Sequence, residues 1–315
     1  ALAALTAFAG AASAQSSVTI YGLIDVGVTK GNGGTAANAG ANGTSKAWTV
    51  KEASGSRLGF NVRETLTGGM TAGAHFEHRF TADDGAANAT FWNGRSYVHL
   101  GSAGAGQVYL GREYAPAFWP AVKSDPFGFD GVGQMGSKMW AGYLTNSGVR
   151  TSNTIGYKSP NMGGFTVNVA VAAGEGTLSR NTGFNAEYAA GPMYFGFGYD
   201  KSDGGPADGN SLWNLAAHYN MGFATLIGYY ASAEVAKVDR KYYSLAARVP
   251  VGAGTIKLAY GRLNPDGANN NESKFGIGYN HFLSKRTNFY VDLGQGRQDT
   301  KSNNTAYAVG LKHTF

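Results

Sequence analysis

Residues 304–315 read NTAYAVGLKHTF. Successive side chains of an extended strand point to opposite faces. Tyr307, Val309, Leu311, His313 and Phe315 therefore share one mostly apolar face, and Ala306, Ala308, Gly310, Lys312 and Thr314 share a small or polar one. The opposite end of the chain repeats the pattern over Val18–Val28. There Val18, Ile20, Ile24, Val26 and Val28 oppose Thr19, Tyr21, Asp25 and Gly27. A tilted strand of about 9–11 residues crosses a bilayer. Similar segments recur near 56–63, 71–80, 95–101, 106–113, 149–158, 164–173, 182–190, 192–200, 211–220, 222–231, 240–249, 254–262, 273–283 and 286–294, sixteen in all. Residues 222–231 (GFATLIGYYA) are apolar on both faces and leave their lipid side open.

The connections alternate in length. The short ones are 64–70, 102–106, 160–164, 190–191, 220–222, 251–254 and 283–286. The long ones are roughly 29–55, 81–94, 114–148, 174–181, 201–210, 232–239, 263–272 and 295–303. Seven short turns and eight long loops predict an all-β fold. Its form is a sixteen-stranded antiparallel transmembrane barrel with short turns at the periplasmic rim and long loops outside. No blade-length repeat supports a propeller. Closure satisfies every backbone N–H and C=O in lipid and leaves no sheet edge. A barrel of this size is too wide for its inward side chains to fill, so water enters.

Composition agrees. Gly is 48 of 315 residues, aromatics are 13% (18 Tyr, 17 Phe) and charged residues only 15%, a glycine-punctuated, strand-rich mix. No run of about 20 apolar residues exists for a spanning helix. A mean hydropathy of −0.23 is what alternating lipid-facing and water-facing residues give. Rings at strand ends, such as Tyr21, Phe165, Tyr219 and Phe289, suit headgroup belts, although aromatics favour strands in any case.

The first residues, ALAALTAFAGAASAQSS, are apolar and small and end in an A-x-A pattern at Ala12-Ser13-Ala14. They read as a truncated signal peptide over 1–14, with a single barrel domain over 15–315; the other reading is a buried N-terminal helix. The chain has no Cys, so an exported fold must stand without disulfides. The net charge of +6 and pI near 9.3 serve solubility, an anion pathway or contact with anionic lipid heads.

The face opposite the apolar one carries Arg57, Arg63, Arg79, Arg95, Arg150, Lys158, Arg248, Lys257, Lys274 and Lys312 against Asp25, Glu77, Glu187, Asp200 and Asp292. Ten bases against five acids attract anions, with modest effect in a wide pore because salt screens over about 8 Å. Narrowing needs a loop. The connection 114–148 is the longest, and it opens YAPAFWPAVKSDPFGFDG. Pro116, Pro120 and Pro126 stiffen it, and its Phe118, Trp119, Phe127, Phe129, Met139 and Trp140 are costly to leave in water. Folded into the barrel, it would set Asp125 or Asp130 opposite the basic wall; the alternative is an external apolar patch for a partner.

Catalytic patterns are absent. His75, His78, His99, His218, His281 and His313 show no HExxH or other metal spacing, there is no GxSxG, and scattered GxG strings reflect glycine abundance. Asp83-Asp84 on a long loop is a weak divalent-ion candidate and more simply a solvated turn. The expectation is no enzyme, no cofactor, no metal and no nucleic-acid partner. A barrel serving as scaffold for a surface enzyme or adhesin is the outlying reading.

Six motifs together resemble one family: SVTIYGLID (17–25), GSRLGF (55–60), VYLGR (108–112), RTSNTIGY (150–157), LSKRT (283–287) and the terminal GLKHTF (310–315). The chain resembles the general porins of Gram-negative β-proteobacteria, of the Neisseria, Bordetella, Burkholderia and Comamonas type, over essentially all of residues 15–315. The resemblance implies a general diffusion porin of the outer membrane that passes small hydrophilic solutes and favours anions. A substrate-specific channel for an organic or phosphate-like anion is the alternative. It further implies a homotrimer set in outer-membrane lipid and lipopolysaccharide, and a third external loop folded inward. Arg57, Arg95 and Arg150 match the basic eyelet, with Glu77 and either Asp125 or Asp130 opposing them. Phe315 matches the signal read by the barrel-assembly machinery. Arg63-Glu64-Thr65-Leu66-Thr67 replaces the usual acidic-rich turn, which leaves the role of Arg63 open.

Overall fold

The computed structural model describes residues 16–31, 47–140, 148–267, 270–299 and 301–315. The expected signal segment 1–14 lies outside them. The strands are β1 (Ser17–Lys30), β2 (Trp48–Lys51), β3 (Ser56–Thr65), β4 (Met70–Phe80), β5 (Arg95–Ser102), β6 (Gly106–Tyr114), β7 (Arg150–Lys158), β8 (Phe165–Ala172) and β9 (Arg180–Ala190). They continue with β10 (Met193–Asp203), β11 (Ser211–Asn220), β12 (Thr225–Val235), β13 (Val238–Val251), β14 (Gly254–Pro265), β15 (Glu272–Phe282), β16 (Thr287–Gln298) and β17 (Asn304–Thr314). Sixteen are long, and each sequence segment read as a strand coincides with one of them.

Neighbours in sequence pair antiparallel around one sheet. β17 returns to β1 in a register running from Leu23↔Thr314 to Lys30↔Tyr307. The other half of β1 pairs with β3, from Ser17↔Arg63 to Leu23↔Arg57. Phe315 completes the seam by exchanging backbone bonds with Gly22 at 3.0 and 3.1 Å. The sheet is therefore closed, and β1, which would otherwise be an edge, is hydrogen-bonded on both sides. The four-residue β2 is an addition that the sequence did not suggest. It lies within the first long connection and extends the pairing of β1 from Gly27↔Lys51 to Lys30↔Trp48.

The alternation of faces holds through the sheet. Val18, Ile20, Ile24, Val28, Val309, Leu311 and Leu245 are exposed on the outer face, Leu245 at 75%. One connection departs from expectation. The supposed long loop 232–239 is a two-residue turn, because β12 and β13 pair as far as Val235↔Val238 and Ala236 and Lys237 both take positive φ (53° and 64°). Two successive positive φ values give a turn whose twist matches that of the flanking strands, and the sequence hides it because neither residue is Gly or Asn.

The undecided strand is settled by what covers it. On β12, Ile227, Tyr229, Ala231, Ala233 and Val235 are buried while Leu226 is half exposed, so Leu226 and Tyr230 share the lipid side. The inward face is apolar because a loop lies on it. Tyr229, Ala231, Ala233 and Val235 join Phe118, Ala121, Met135, Met139 and Trp140 of the 114–148 connection in one apolar cluster.

Candidate functional site

The covering loop leaves β6 at its long-loop end. It turns into a short helix α1 (Phe118–Ser124) and, later, a single turn α2 (Gly136–Met139). Between them the chain folds around Asp125, which is fully buried. Its Oδ1 accepts the Phe127 N–H at 3.0 Å, and its Oδ2 accepts those of Phe129, Met135 and Gly136 at 3.1, 2.8 and 3.1 Å. One carboxylate thus organises a segment with little regular structure.

Polar anchors hold the loop to half of the wall. Asp200 of β10 accepts the Ala117 N–H at 3.2 Å, and Asn214 of β11 donates to the Ala117 carbonyl at 2.9 Å. Arg248 of β13 donates to the carbonyls of Lys123 and Asp125 at 3.1 and 2.9 Å. Lys123 pairs with Glu187 of β9, and Lys138 with Glu272 of β15. Farther round, the loop backbone comes so close to β16 that a Cβ on Gly294 would lie 1.9 Å from the Val132 carbonyl oxygen. Three acids of the inner wall, Glu187, Asp200 and Glu272, are consequently engaged by the loop.

The opposite wall, from β1 to β7, faces a cavity of about 580 Å³ between itself and the loop. Arg57, Arg79, Arg95 and Arg150 line it together with Glu77 and Asp130. Register explains the grouping: Arg57 sits opposite Arg79, Glu77 opposite Arg95, and Tyr114 opposite Arg150. Four guanidiniums this close repel one another, so each needs compensation. Glu77 meets Arg79 at 2.7 Å, and Glu113, wholly buried, meets Arg95 at 3.1 Å. The Tyr114 hydroxyl accepts from Arg79 at 3.1 Å and from Arg150 at 2.5 Å. Its ring lies 4.2 Å from the Arg150 guanidinium carbon and 5.0 Å from that of Arg95, and Trp119 adds a second ring 5.6 Å from Arg95. These π-faces attract cations without cancelling their charge. Arg57 donates to the Gly55 carbonyl at 3.2 Å. The guanidiniums are held in place and still present a basic surface.

The structure brings the expected residues Arg57, Arg95, Arg150, Glu77 and Asp130 around one cavity. It corrects the place of Asp125. That carboxylate is saturated by its own loop's N–H groups and lines no part of this cavity, so Asp130 is the loop acid that faces the arginines. Desolvation raises the Asp130 carboxyl above its ordinary range, against the pull of Lys312, Arg57 and Arg79. Arg79 was on the inward face in the sequence but stood outside the three matched to the eyelet. Glu113 shares the parity of Gln107, Tyr109 and Gly111, so its inward direction was legible and overlooked. Tyr114 gave no signal, since it reads as the first residue of a loop.

A family model described as Gram-negative porin matches residues 1–301. The outer membrane porin protein 32 of Delftia acidovorans is 33% identical, the match covering 99% of this chain and 98% of that one. The major outer membrane protein P.IB of Neisseria meningitidis serogroup B is 25% identical, over 100% and 99%. Among solved structures, the anion-selective porin from Comamonas acidovorans superposes with a TM-score of 0.81 at 29% identity, over 96% of this chain and 100% of that one. OmpT of Vibrio cholerae in its trimer form gives a TM-score of 0.72 at 15% identity, over 95% and 99%, a likeness of fold alone.

Proposed function

The chain belongs to the Gram-negative porin family, and from that premise we propose that its arginine-lined cavity is the constriction of an anion-preferring diffusion pore. It is an outer-membrane β-barrel, and its family is one of channels, not of enzymes. The observation that carries the anion preference is the distribution of charge around the loop. Four arginines face the cavity with two carboxylates, while three acids of the opposite wall are tied to the loop. A fixed charge is screened within about 8 Å at physiological ionic strength. Selectivity therefore requires that the passing ion come within that range of the arginines, which the inward loop enforces. Arg57, Arg79, Arg95 and Arg150 act as fixed charges; Glu77 and Asp130 limit how strongly an anion is held, so that it also leaves.

The anion-selective relative of Comamonas supports this reading. We extend it to a homotrimer whose outer apolar band meets outer-membrane lipid and lipopolysaccharide, with residues 1–14 as a signal segment and Phe315 as the mark read by the barrel-assembly machinery. Single-channel recording on the reconstituted protein tests the diffusion part. Current linear in chloride concentration, with neutral sugars entering liposomes in order of size, is expected. A current that saturates at low concentration and is blocked by one solute would replace it with a substrate-specific channel.

A further inference from the structure

We propose that the lumen holds a second anion site at its short-turn end, built from Arg63, His99 and Lys158. The inference rests on the anion-conducting reading above but concerns a different place. A cavity of about 350 Å³ lies beside the turns 102–106 and 158–165 and shares no lining residue with the arginine-lined one. Arg63, His99 and Lys158 line it together with Asn61, Thr71 and Gln107, and no carboxylate does.

Register and a missing side chain bring the bases together. Arg63 of β3 sits opposite Gly73 of β4, and Gly73 sits opposite His99 of β5. A Cβ at position 73 would lie 2.6 Å from His99 Nε2, so the imidazole leans across the glycine towards the strand that bears Arg63. The His99 Nδ1 is buried and has no hydrogen-bond partner among the described residues. Arg63 is exposed and makes no ion pair among them. Lys158 is fixed from the other side, 2.7 Å from Glu113 and over the rings of Tyr97 and Tyr109 at 5.3 and 4.9 Å. Glu113 also holds Arg95, so one buried carboxylate bridges a constriction arginine and a base of this cavity.

The chemistry that fits is a small oxyanion. A guanidinium offers two parallel N–H donors to such a group, and the ammonium and the Asn61 and Gln107 amides add further donors. The free guanidinium of Arg63 is the part on which affinity should depend most. An anion leaving the constriction would be received here before it reaches the periplasm.

The test uses the full-length protein in a planar bilayer carrying chloride current, with inorganic phosphate as the probe. Phosphate added on the short-turn side is expected to reduce the current saturably. Arg63→Gln is expected to raise the half-reducing concentration about tenfold, the loss of one charge-assisted contact; Arg63→Lys should fall between. His99→Gln gives a second readout at a residue that does not line the arginine cavity and should also raise the half-reducing concentration. An unchanged half-reducing concentration in Arg63→Gln, or a wild-type current indifferent to phosphate, would overturn the site. Cation-selective chloride salt currents would instead overturn the parent reading, whatever phosphate does.

Discussion

Replacing Asp125 by alanine should open the pore without unfolding the barrel. The carboxylate accepts four backbone N–H groups, at 2.8–3.1 Å, inside a segment that otherwise has two short helical pieces. A buried N–H left unpaired costs about 1–3 kcal/mol. Even at the low end, roughly 4 kcal/mol is withdrawn from one loop, comparable with the stability of a local structural unit. The sixteen-strand ladder contains none of these bonds. The turn bearing Phe127, Phe129 and Asp130 should therefore detach, while α1 stays tied through Asp200, Asn214 and Glu187. Single-channel conductance should rise and anion preference fall, with the heat resistance of the folded barrel unchanged on gels. Asp125→Asn keeps one acceptor oxygen and should lie between. Wild-type conductance and selectivity in Asp125→Ala would refute the view that this carboxylate shapes the constriction.

Three further outcomes follow from the packing. Gly294→Ala forces a methyl against the Val132 carbonyl, an overpacking of about 1–3 kcal/mol; the loop should shift, and current noise should increase in single-channel records. Tyr114→Phe removes the acceptor shared by Arg79 and Arg150; selectivity should keep its sign but weaken, as read from ion permeability ratios. Leu245→Arg places a charge on the lipid face and should cost about 2–4 kcal/mol near the bilayer midplane, measured by denaturant titration in bilayers, with selectivity unaltered.

The barrel was legible because two local rules, side-chain alternation and turn length, repeat through the chain. Strand parity placed Arg57, Arg79, Arg95 and Arg150 inward, since direction in a strand depends only on register. What escaped was decided by contacts between distant segments. β12 looked ambiguous because its inward face packs against the loop instead of water. Asp125 and Asp130 were indistinguishable by composition, and only the loop's path separates the buried staple from the acid that lines the cavity. Tyr114 organises two arginines through partners contributed by β4 and β7, a relation that no local pattern encodes. The turn at Ala236-Lys237 is set by the strands on either side of it, not by its own residues.

Arginines on one stretch of wall are proposed to give the pore its preference. The zero-current potential across a KCl gradient tests it most directly, in the wild type and in the Arg57→Ser/Arg95→Ser/Arg150→Ser variant. A potential of the sign set by chloride is expected in the wild type, with a marked shift towards zero in the variant. A wild-type potential of the sign set by potassium, or a variant indistinguishable from the wild type, would contradict it.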